Sequence, residues 1–230
     1  MDKGFVIAID GPVASGKGTI APKLSEKING TYLYTGGTYR AVALYCLQNN
    51  IVADNKSAVI GALSDIKIDL RGKNVFLNGI DVTEEIKTPD VAILSSKVSV
   101  FREVREEMVK VQQDAAEREI MEGKVVITEG RDTGTKVFPD AKVKIFLTAD
   151  SVGRAKRRMK QYEDKGIKLE FEKVLKETLE RDKRDFERET DPLSKEPEKL
   201  GYIVIDNSNQ TEEQTVAIII SELKKLGIFL

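Results

Sequence analysis

The chain has 230 residues and a mass of 25.6 kDa, which is enough for one large domain with lobes but not for several full domains in tandem. Its 37 basic and 38 acidic residues nearly cancel, so the net charge of −1 does not favour a general nucleic-acid or membrane-surface role. The single cysteine, Cys46, excludes an internal disulfide and a multi-cysteine zinc site, and the lack of histidine removes the commonest acid–base group of neutral pH.

The apolar runs of the sequence are short. The longest, at 41–47, has seven residues, and the FVIAI run at 5–9 is too short to be a secretory signal. We therefore expect a cytoplasmic protein with no membrane partner.

Short apolar strands alternate with amphipathic helices along the chain. The predicted strands are 5–9, 31–34, 125–128, 143–147 and 202–205, and the predicted helices include 17–28, 90–121 and 171–189. Strands separated by helices favour an α/β fold, with a parallel five-stranded sheet covered by helices on both faces.

Residues 66–82 break this rhythm, because their apolar residues alternate with period two. The segment contains the turn sequences Arg71-Gly72-Lys73-Asn74 and Asn78-Gly79, and Asn-Gly is the strongest short hairpin signal. The pattern predicts a small antiparallel sheet inserted into the α/β core.

A glycine-rich loop lies between the first predicted strand and the first predicted helix. It reads Gly11-Pro12-Val13-Ala14-Ser15-Gly16-Lys17-Gly18-Thr19 and fits the phosphate-binding pattern G-x₄-G-K, with the hydroxyl residue displaced by one position. Glycines let successive N–H groups curl around an anion at the positive end of a helix. We expect Lys17 to reach the β- and γ-phosphates of a nucleoside triphosphate, and Ser15 and Thr19 to support phosphate or metal.

Arginines and carboxylates recur where ligands of α/β proteins gather. Arg40 and Arg131 each follow a predicted strand, at the carboxyl edge of the sheet. Arg181, Asp185 and Arg188 fall within about 60° of arc on one predicted helix. These positions favour a second anionic site, as a small kinase needs, although a solvated charged helix face explains the spacing equally well.

The segment RAKRRMK at 154–160 places five cations within seven residues. It allows three interpretations: nucleic-acid contact, a solvated helix face, or a lid that closes over phosphates. The first is the weakest, because aromatic residues do not interleave with the cations. A lid would neutralise the transferred phosphoryl group and expel water, and its cations would be Arg154, Arg157 and Arg158.

Five segments together resemble the bacterial cytidylate kinases, a family of P-loop nucleoside monophosphate kinases. They are GPVASGKGT, YLYTGGTYRA, EGRDTGTKVFPDAKVKIFLTAD, RAKRRMKQYEDKG and ERDKRDFERETDPL, and the similarity covers nearly the whole chain. The resemblance implies transfer of the γ-phosphate of ATP to CMP or dCMP with Mg²⁺, as a step of pyrimidine nucleotide metabolism.

The resemblance also implies how the chain is divided. The core would comprise 1–34, 122–150 and 190–230, and the CMP-binding lobe would comprise 35–121 with the β insert at 66–82. A helical lid would occupy about 151–170, and the helix at 171–189 would link it to the core. We expect a monomer whose partners are ATP and CMP or dCMP, without nucleic acid.

Carried over position by position, the resemblance assigns the acceptor site. The implied CMP-binding residues are Thr35, Arg40, Ser96, Arg105, Arg131, Asp132, Asp185 and Arg188, and the expected catalytic residues are Lys17, Arg131, Arg181 and Arg188. Glu129 or Asp10 is expected to orient the water ligands of Mg²⁺, unless its carboxylate is purely structural. Direct transfer needs no general base, since the acceptor phosphate is already an anion at neutral pH.

Two residues depart from the family pattern. Tyr34 stands where an aspartate is common, which removes a negative charge near the acceptor entrance and can alter the preference between CMP and UMP. Asp191 stands where a small residue often precedes Pro-Leu. Neither change touches the phosphate chemistry.

Two alternatives of different kinds remain open. One is a kinase of the same scaffold for another small acceptor, such as UMP, AMP or a sugar-like acid. The other is a nucleotide-gated binding module, or a single-strand nucleic-acid binder that uses 154–160 and whose affinity would fall with salt.

Overall fold

The computed structural model describes residues 4–164 and 166–228, so Lys165 of the predicted lid and both ends of the predicted core lie outside the described residues. In chain order the elements are β1 (Phe5–Asp10), α1 (Lys17–Lys27), β2 (Thr31–Leu33), α2 (Gly36–Gln48), α3 (Lys56–Ala62), β3 (Ile68–Arg71), β4 (Asn74–Leu77), β5 (Ile80–Asp81), α4 (Pro89–Val98), α5 (Arg102–Met121), β6 (Val125–Gly130), β7 (Val143–Thr148), α6 (Ser151–Glu163), α7 (Phe171–Glu187), β8 (Ile203–Asp206) and α8 (Glu212–Lys225).

The central sheet has five parallel strands in the order β2-β6-β1-β7-β8. Successive residues of β1 point to opposite faces, so Val6 packs in a core with α2, α4 and α5, whereas Ile7 and Ile9 pack in a second core with α1 and α8. Both faces are therefore covered by helices, and the predicted parallel five-stranded sheet is confirmed.

The β insert is a separate antiparallel sheet of β3, β4 and β5. Its hairpins turn at Gly72 and at Asn78-Gly79, whose φ angles of 58°, 51° and 83° belong to the left-handed region that Asn and Gly adopt most easily. Val75 on β4 packs under α2, so close to Gly37 that a Cβ there would lie 2.5 Å from it. The predicted insert is confirmed.

The prediction of one helix over 90–121 is wrong, because the chain leaves the helical conformation between α4 and α5. Phe101 is extended, with φ −77° and ψ 126°, and α5 begins at Arg102. The break frees the Ser99 carbonyl, which accepts a hydrogen bond of 3.2 Å from Arg105 Nη1. It therefore positions a predicted site residue.

The carboxyl ends of β1, β2 and β6 open on one side of the sheet. The glycine-rich loop follows β1, Thr35 follows β2, and Arg131-Asp132 follows β6. Their convergence results from parallel pairing, which aligns Asp10 of β1 with Gly130 of β6. Within the described ranges, no helix is both long and apolar enough to cross a membrane.

Candidate active site

A cleft of about 390 Å³ lies at these strand ends. Every residue predicted to bind the acceptor lines it, and so does every predicted catalytic cation: Lys17, Thr35, Arg40, Ser96, Arg105, Arg131, Asp132, Arg181, Asp185 and Arg188. The structure thus brings into one cavity side chains that come from α1, α2, α4, α5, α7 and the segment after β6.

The glycine-rich loop forms one wall of the cleft. Gly11 has φ +151°, and a Cβ there would lie 2.1 Å from the Leu147 carbonyl oxygen, so only glycine fits. Lys17 is buried, and its Nζ donates to the Pro12 carbonyl at 2.8 Å and to Ser15 Oγ at 3.2 Å. Burial, together with the positive charge of Arg131, lowers the pKa of Lys17 to about 7. The loop therefore presents a lysine that has no ion-pair partner in the part of the chain that the structure describes.

A cluster of cations occupies the middle of the cleft. Arg131 Nε pairs with Asp185 Oδ2 at 2.6 Å, and beside this pair lie Arg181, Arg40 and Arg158. The Nε of Arg181 is buried and has no hydrogen-bond partner among the described residues. Burial and then repulsion from Arg131 lower the pKa of Arg181 to about 10. Because positive charge exceeds negative charge here, the cluster is suited to bind an anion.

The far end of the cleft has balanced charge. Arg105 is 1% exposed and pairs with the carboxylates of Asp132 and Asp191, the latter at 3.0 Å between Nε and Oδ2. Asp132 Oδ1 also lies 3.2 Å from Arg188 Nη2. Two guanidinium groups and two carboxylates thus neutralise one another, and this end suits a polar but uncharged group.

Thr35 holds the start of α2 against the sheet. Its hydroxyl donates to the Glu129 carbonyl at 2.8 Å and accepts from Thr128 at 3.1 Å. The amide of Gln112 on α5 donates to Thr38 Oγ1 at 2.8 Å and to the Thr35 carbonyl at 3.3 Å. The Thr35 hydroxyl therefore already donates its proton to a protein carbonyl. Toward a ligand in the cleft it can act only as a hydrogen-bond acceptor.

Tyr34 lies at the edge of the cleft, where its ring stacks on Tyr32 with centroids 6.3 Å apart. Burial raises the pKa of Tyr34, so its phenol stays neutral at physiological pH. This wall therefore carries a neutral hydroxyl near Arg40 and Arg181 instead of a carboxylate.

Comparison with known proteins agrees with this geometry. The model of the family described as "Cytidylate kinase" matches residues 7–225. The chain belongs to the cytidylate kinase family. The cytidylate kinase of Caldanaerobacter subterraneus subsp. tengcongensis is 43% identical over 219 residues, which are 95% of this chain and 94% of that protein. The cytidylate kinase of Thermosipho melanesiensis is 42% identical, with 95% and 96% of the two chains covered.

A solved structure of an uncharacterized protein from Eubacterium ventriosum ATCC 27560 shares the fold, with a TM-score of 0.52 at 15% identity and coverage of 97% of this chain and 99% of that one. The resemblance seen in the sequence motifs is confirmed by the family match and by both cytidylate kinases.

Two of the three predicted lid cations of this family member do not line the cleft. Arg154 is 6% exposed; its Nη1 pairs with Asp182 Oδ2 at 2.6 Å and donates to the Val13 carbonyl at 2.9 Å. Arg157 donates to both oxygens of Asn207, at 3.0 and 2.6 Å. Arg158 does line the cleft. Arg154 and Arg157 hold α6 against the neighbouring segments in this structure, and their role in a lid stays a prediction.

The expectation that Asp10 orients metal-bound water stays a prediction, and in this structure the side chain has other partners. Its carboxylate accepts hydrogen bonds from the Thr133 and Gly134 amides at 2.9 and 2.7 Å and from the Tyr202 hydroxyl at 2.7 Å. Asp10 is 1% exposed, and burial raises its pKa. It joins β1 to the turn after β6, whereas Glu129 lines the cleft.

Asp182 and Asn207 are functional candidates that the sequence analysis missed. Asp182 Oδ1 accepts from the Val13 amide at 3.2 Å, and the Asn207 side-chain amide donates to the Ser15 carbonyl at 2.9 Å. Both therefore fix the conformation of the glycine-rich loop from outside. The buried stripe Val174, Thr178, Asp182 and Asp185 has the spacing of one helix face and was the available signal for Asp182.

Proposed function

We propose that the protein transfers the γ-phosphate of ATP to CMP or dCMP and releases ADP with CDP or dCDP. The observation that carries the proposal is the arrangement of one cleft: a phosphate-binding loop on one wall, an excess of positive charge in the middle and a neutral polar end beyond it. Membership of the cytidylate kinase family supports the same substrates.

The donor triphosphate would lie on the loop at the start of α1. There the backbone N–H groups of the loop and the positive end of α1 favour phosphate oxygens, and Lys17 adds a full charge. A Cβ added at Gly18 would meet no atom within 4 Å, so the space beside this residue is open. Phosphate can therefore approach the backbone there closely. The loop residues Gly11 to Thr19 thus act as the proposed ATP-binding site.

Binding of ATP should carry a proton with it, because Lys17 has a pKa of about 7 in the free protein. At about pH 8 most of the free protein holds Lys17 neutral, and the triphosphate restores its positive charge by raising that pKa. We expect proton uptake at this pH that fades toward about pH 6, where the lysine is already charged. Calorimetry in buffers of different ionisation enthalpy measures it. A binding enthalpy at the higher pH that is the same in every buffer would contradict the prediction.

The acceptor would lie with its phosphate at the cation cluster and its base at the neutral end. Arg40 and Arg131 face the phosphate, together with Arg181, while cytosine offers an N4 donor to a carboxylate such as Asp132. The N3 and O2 acceptors of cytosine match donors such as Arg105 and Ser96. Asp185 and Arg188 close this site at the sugar and phosphate.

Glu129 is the residue that we propose to orient the metal. Among the described residues no three acidic, cysteine or histidine side chains cluster tightly enough to hold an ion. This fits Mg²⁺, which commonly keeps several waters and binds through nucleotide phosphates with one or two carboxylates. When bound, Mg²⁺ supplies positive charge to the phosphates during transfer.

The chemical step then needs positioning and positive charge from this chain. An oxygen of the acceptor phosphate attacks the γ-phosphorus as the bond to the β–γ bridging oxygen breaks, and that oxygen leaves on ADP. No proton has to be removed from the attacking oxygen. Lys17, Arg131 and Arg181 stabilise the negative charge on the transferred group, and water is excluded by closure of the lid, proposed at about 151–170 beside the acceptor lobe at 35–121.

A panel of acceptors tests this proposal. Initial rates with ATP should be highest for CMP and dCMP, lower for UMP and lowest for AMP. A protein that phosphorylates UMP or AMP faster than both cytidylates would refute the assignment and favour the alternative acceptor. Salt-sensitive oligonucleotide binding without nucleotide turnover would favour a nucleic-acid binder, although Arg154 and Arg157 of its proposed basic segment are already engaged inside the protein.

Arg188→Ala should raise the KM for CMP about tenfold or more and leave the KM for ATP nearly unchanged. Arg188 lies beside Asp132 in the proposed acceptor site, and a hydrogen bond between a charged donor and a phosphate or sugar contributes about 1.5–3 kcal/mol. Steady-state kinetics with each substrate varied in turn measures both constants. Arg184→Ala is the control, because Arg184 is an exposed arginine near the end of α7. Equal rises in both KM values would argue against the placement of Arg188 at the acceptor.

A further inference from the structure

Asp191 lies just beyond α7, in a loop that reaches back to the neutral end of the cleft. Its φ angle of +48° is in the left-handed region, which a residue other than glycine adopts only at a cost of about 1 kcal/mol or more. In this conformation its carboxylate meets Arg105 Nε at 3.0 Å, and its backbone carbonyl accepts from Arg188 Nε at 2.8 Å. Asp191 therefore contacts both arginines of the neutral end.

Three hydrogen-bond acceptors and one aromatic ring surround the Arg105 guanidinium. Its guanidinium donates to Asp191, to Asp132 and to the Ser99 carbonyl, and its Cζ lies 5.5 Å from the centroid of the Tyr39 ring. These bonds fix the rotation of the planar group, and the N–H groups that remain are left for a ligand in the cleft. Of the three oxygen partners, Asp191 alone belongs to the segment that follows α7.

The negative charge of Asp191 also sets the net charge of the neutral end of the cleft. Arg105, Arg188, Asp132 and Asp191 sum to zero, whereas without Asp191 the group would carry one positive charge. A positive end would attract a second anion, and a loosened Arg105 could turn to meet the O4 carbonyl of uracil. A neutral end with Arg105 fixed leaves the Asp132 carboxylate as the group that meets the 4-position of the base.

We propose that Asp191 is a positioning residue, which orients Arg105 and neutralises the base end of the acceptor site so that cytosine is preferred over uracil. This inference rests on the proposed function for its substrate. The orientation of Arg105, however, is a property of the free protein and can be tested without any acceptor.

The kinetic test compares Asp191→Asn and Asp191→Gly with Glu189→Gln, an exposed carboxylate two residues away. Asparagine and glycine both tolerate the left-handed conformation, so the loop should keep its path. We expect Asp191→Gly to raise the KM for CMP about tenfold, to leave the KM for ATP within about twofold, and to raise the ratio of UMP to CMP turnover. Asp191→Asn, which keeps an acceptor but loses the charge, should fall between Asp191→Gly and Glu189→Gln.

A double-mutant comparison shows whether Asp191 acts through Arg105. With Arg105→Lys in place, Asp191→Gly should cause little further rise in the KM for CMP, because the group that it orients is gone. A full additional effect in that background, an equal rise in both KM values, or variants that match Glu189→Gln in every constant would each overturn the inference.

NMR of the arginine Nε–H resonances in the free protein tests the orientation of Arg105 without any acceptor. The resonance that disappears in Arg105→Lys identifies Arg105, and in the wild-type protein it should exchange slowly with water. We expect this protection to be lost in Asp191→Gly and kept in Glu189→Gln. A protected resonance in Asp191→Gly would overturn the inference whatever the acceptor, whereas failure of CMP turnover in the wild-type protein would refute only the proposed function.

Discussion

Lys17→Ala is expected to lower kcat for phosphoryl transfer from ATP by about 10²–10³ or more, while the chain still folds. Lys17 is the cation of the loop that meets the triphosphate, and it would stabilise the negative charge that shifts onto the leaving and transferred oxygens. No other lysine lines the cleft among the described residues, so none can replace it.

The fold should survive because Lys17 contributes little net stability as a charge. Among the described residues it is buried without a carboxylate partner and donates only to the Pro12 carbonyl and the Ser15 hydroxyl, and its pKa of about 7 shows that burial opposes its charged form. Alanine also removes the aliphatic part of the side chain, for which a melting-temperature decrease of a few degrees is expected.

A coupled assay for ADP release and a thermal melt by circular dichroism measure the two properties. Lys27→Ala is the matched control, because Lys27 is an exposed lysine at the other end of the same helix. Turnover of Lys17→Ala within a few-fold of the control would show that the loop does not hold the transferred phosphate, and would remove the basis of the proposed mechanism.

The part of the fold that local sequence determines was predictable. The strand, glycine loop and α1 follow one another within 23 residues (5–27), and the left-handed positions at Gly72 and Asn78-Gly79 mark hairpins in any context. Each prediction depends on neighbours along the chain, so no tertiary contact was needed to make it.

The break between α4 and α5 was not predictable in the same way. Phe101, which lies in the break, has helical spacing to Val104 and Met108 of α5, and the break contains neither glycine nor proline. Its cause is tertiary, because α4 packs on α2 whereas α5 runs along the β insert and the central sheet. The break also aligns Ser99 with Arg105, a contact that spacing alone does not reveal.

The sequence also does not indicate which charged side chains are buried inside the protein. A run of cations such as RAKRRMK gives no indication that Arg154 is buried against Asp182 while Arg158 reaches the cleft. Asp10 likewise follows a strand, as ligand-binding carboxylates do, yet it is saturated by two amides and a tyrosine. Partners that lie 28 to 192 positions away along the chain decide these roles, so residue type and spacing could propose candidates but could not assign them.

Arg181→Met is expected to lower kcat about 10²–10³-fold and at the same time to leave the melting temperature unchanged or to raise it. The guanidinium of Arg181 lies beside Arg131 and near Arg40 and Arg158, its buried Nε lacks a partner among the described residues, and its pKa falls to about 10. A lowered pKa means that the fold disfavours this charge, and removing the side chain relieves repulsion. The charge of the Arg181 guanidinium destabilises the free protein, and the same guanidinium would pair with an incoming phosphoryl group.

A fall in kcat without a fall in melting temperature distinguishes a role in charge stabilisation from a structural role. A cation that merely supported the fold would lose stability and activity together when replaced. Arg184→Met, on the exposed face one turn along α7, should change neither kcat nor the melting temperature appreciably. Arg181→Lys should recover part of kcat, since it restores the charge without the planar fork that binds two oxygens at once. A large loss of stability in Arg181→Met, or a kcat equal to that of Arg184→Met, would exclude Arg181 from the charge that stabilises the transferred group.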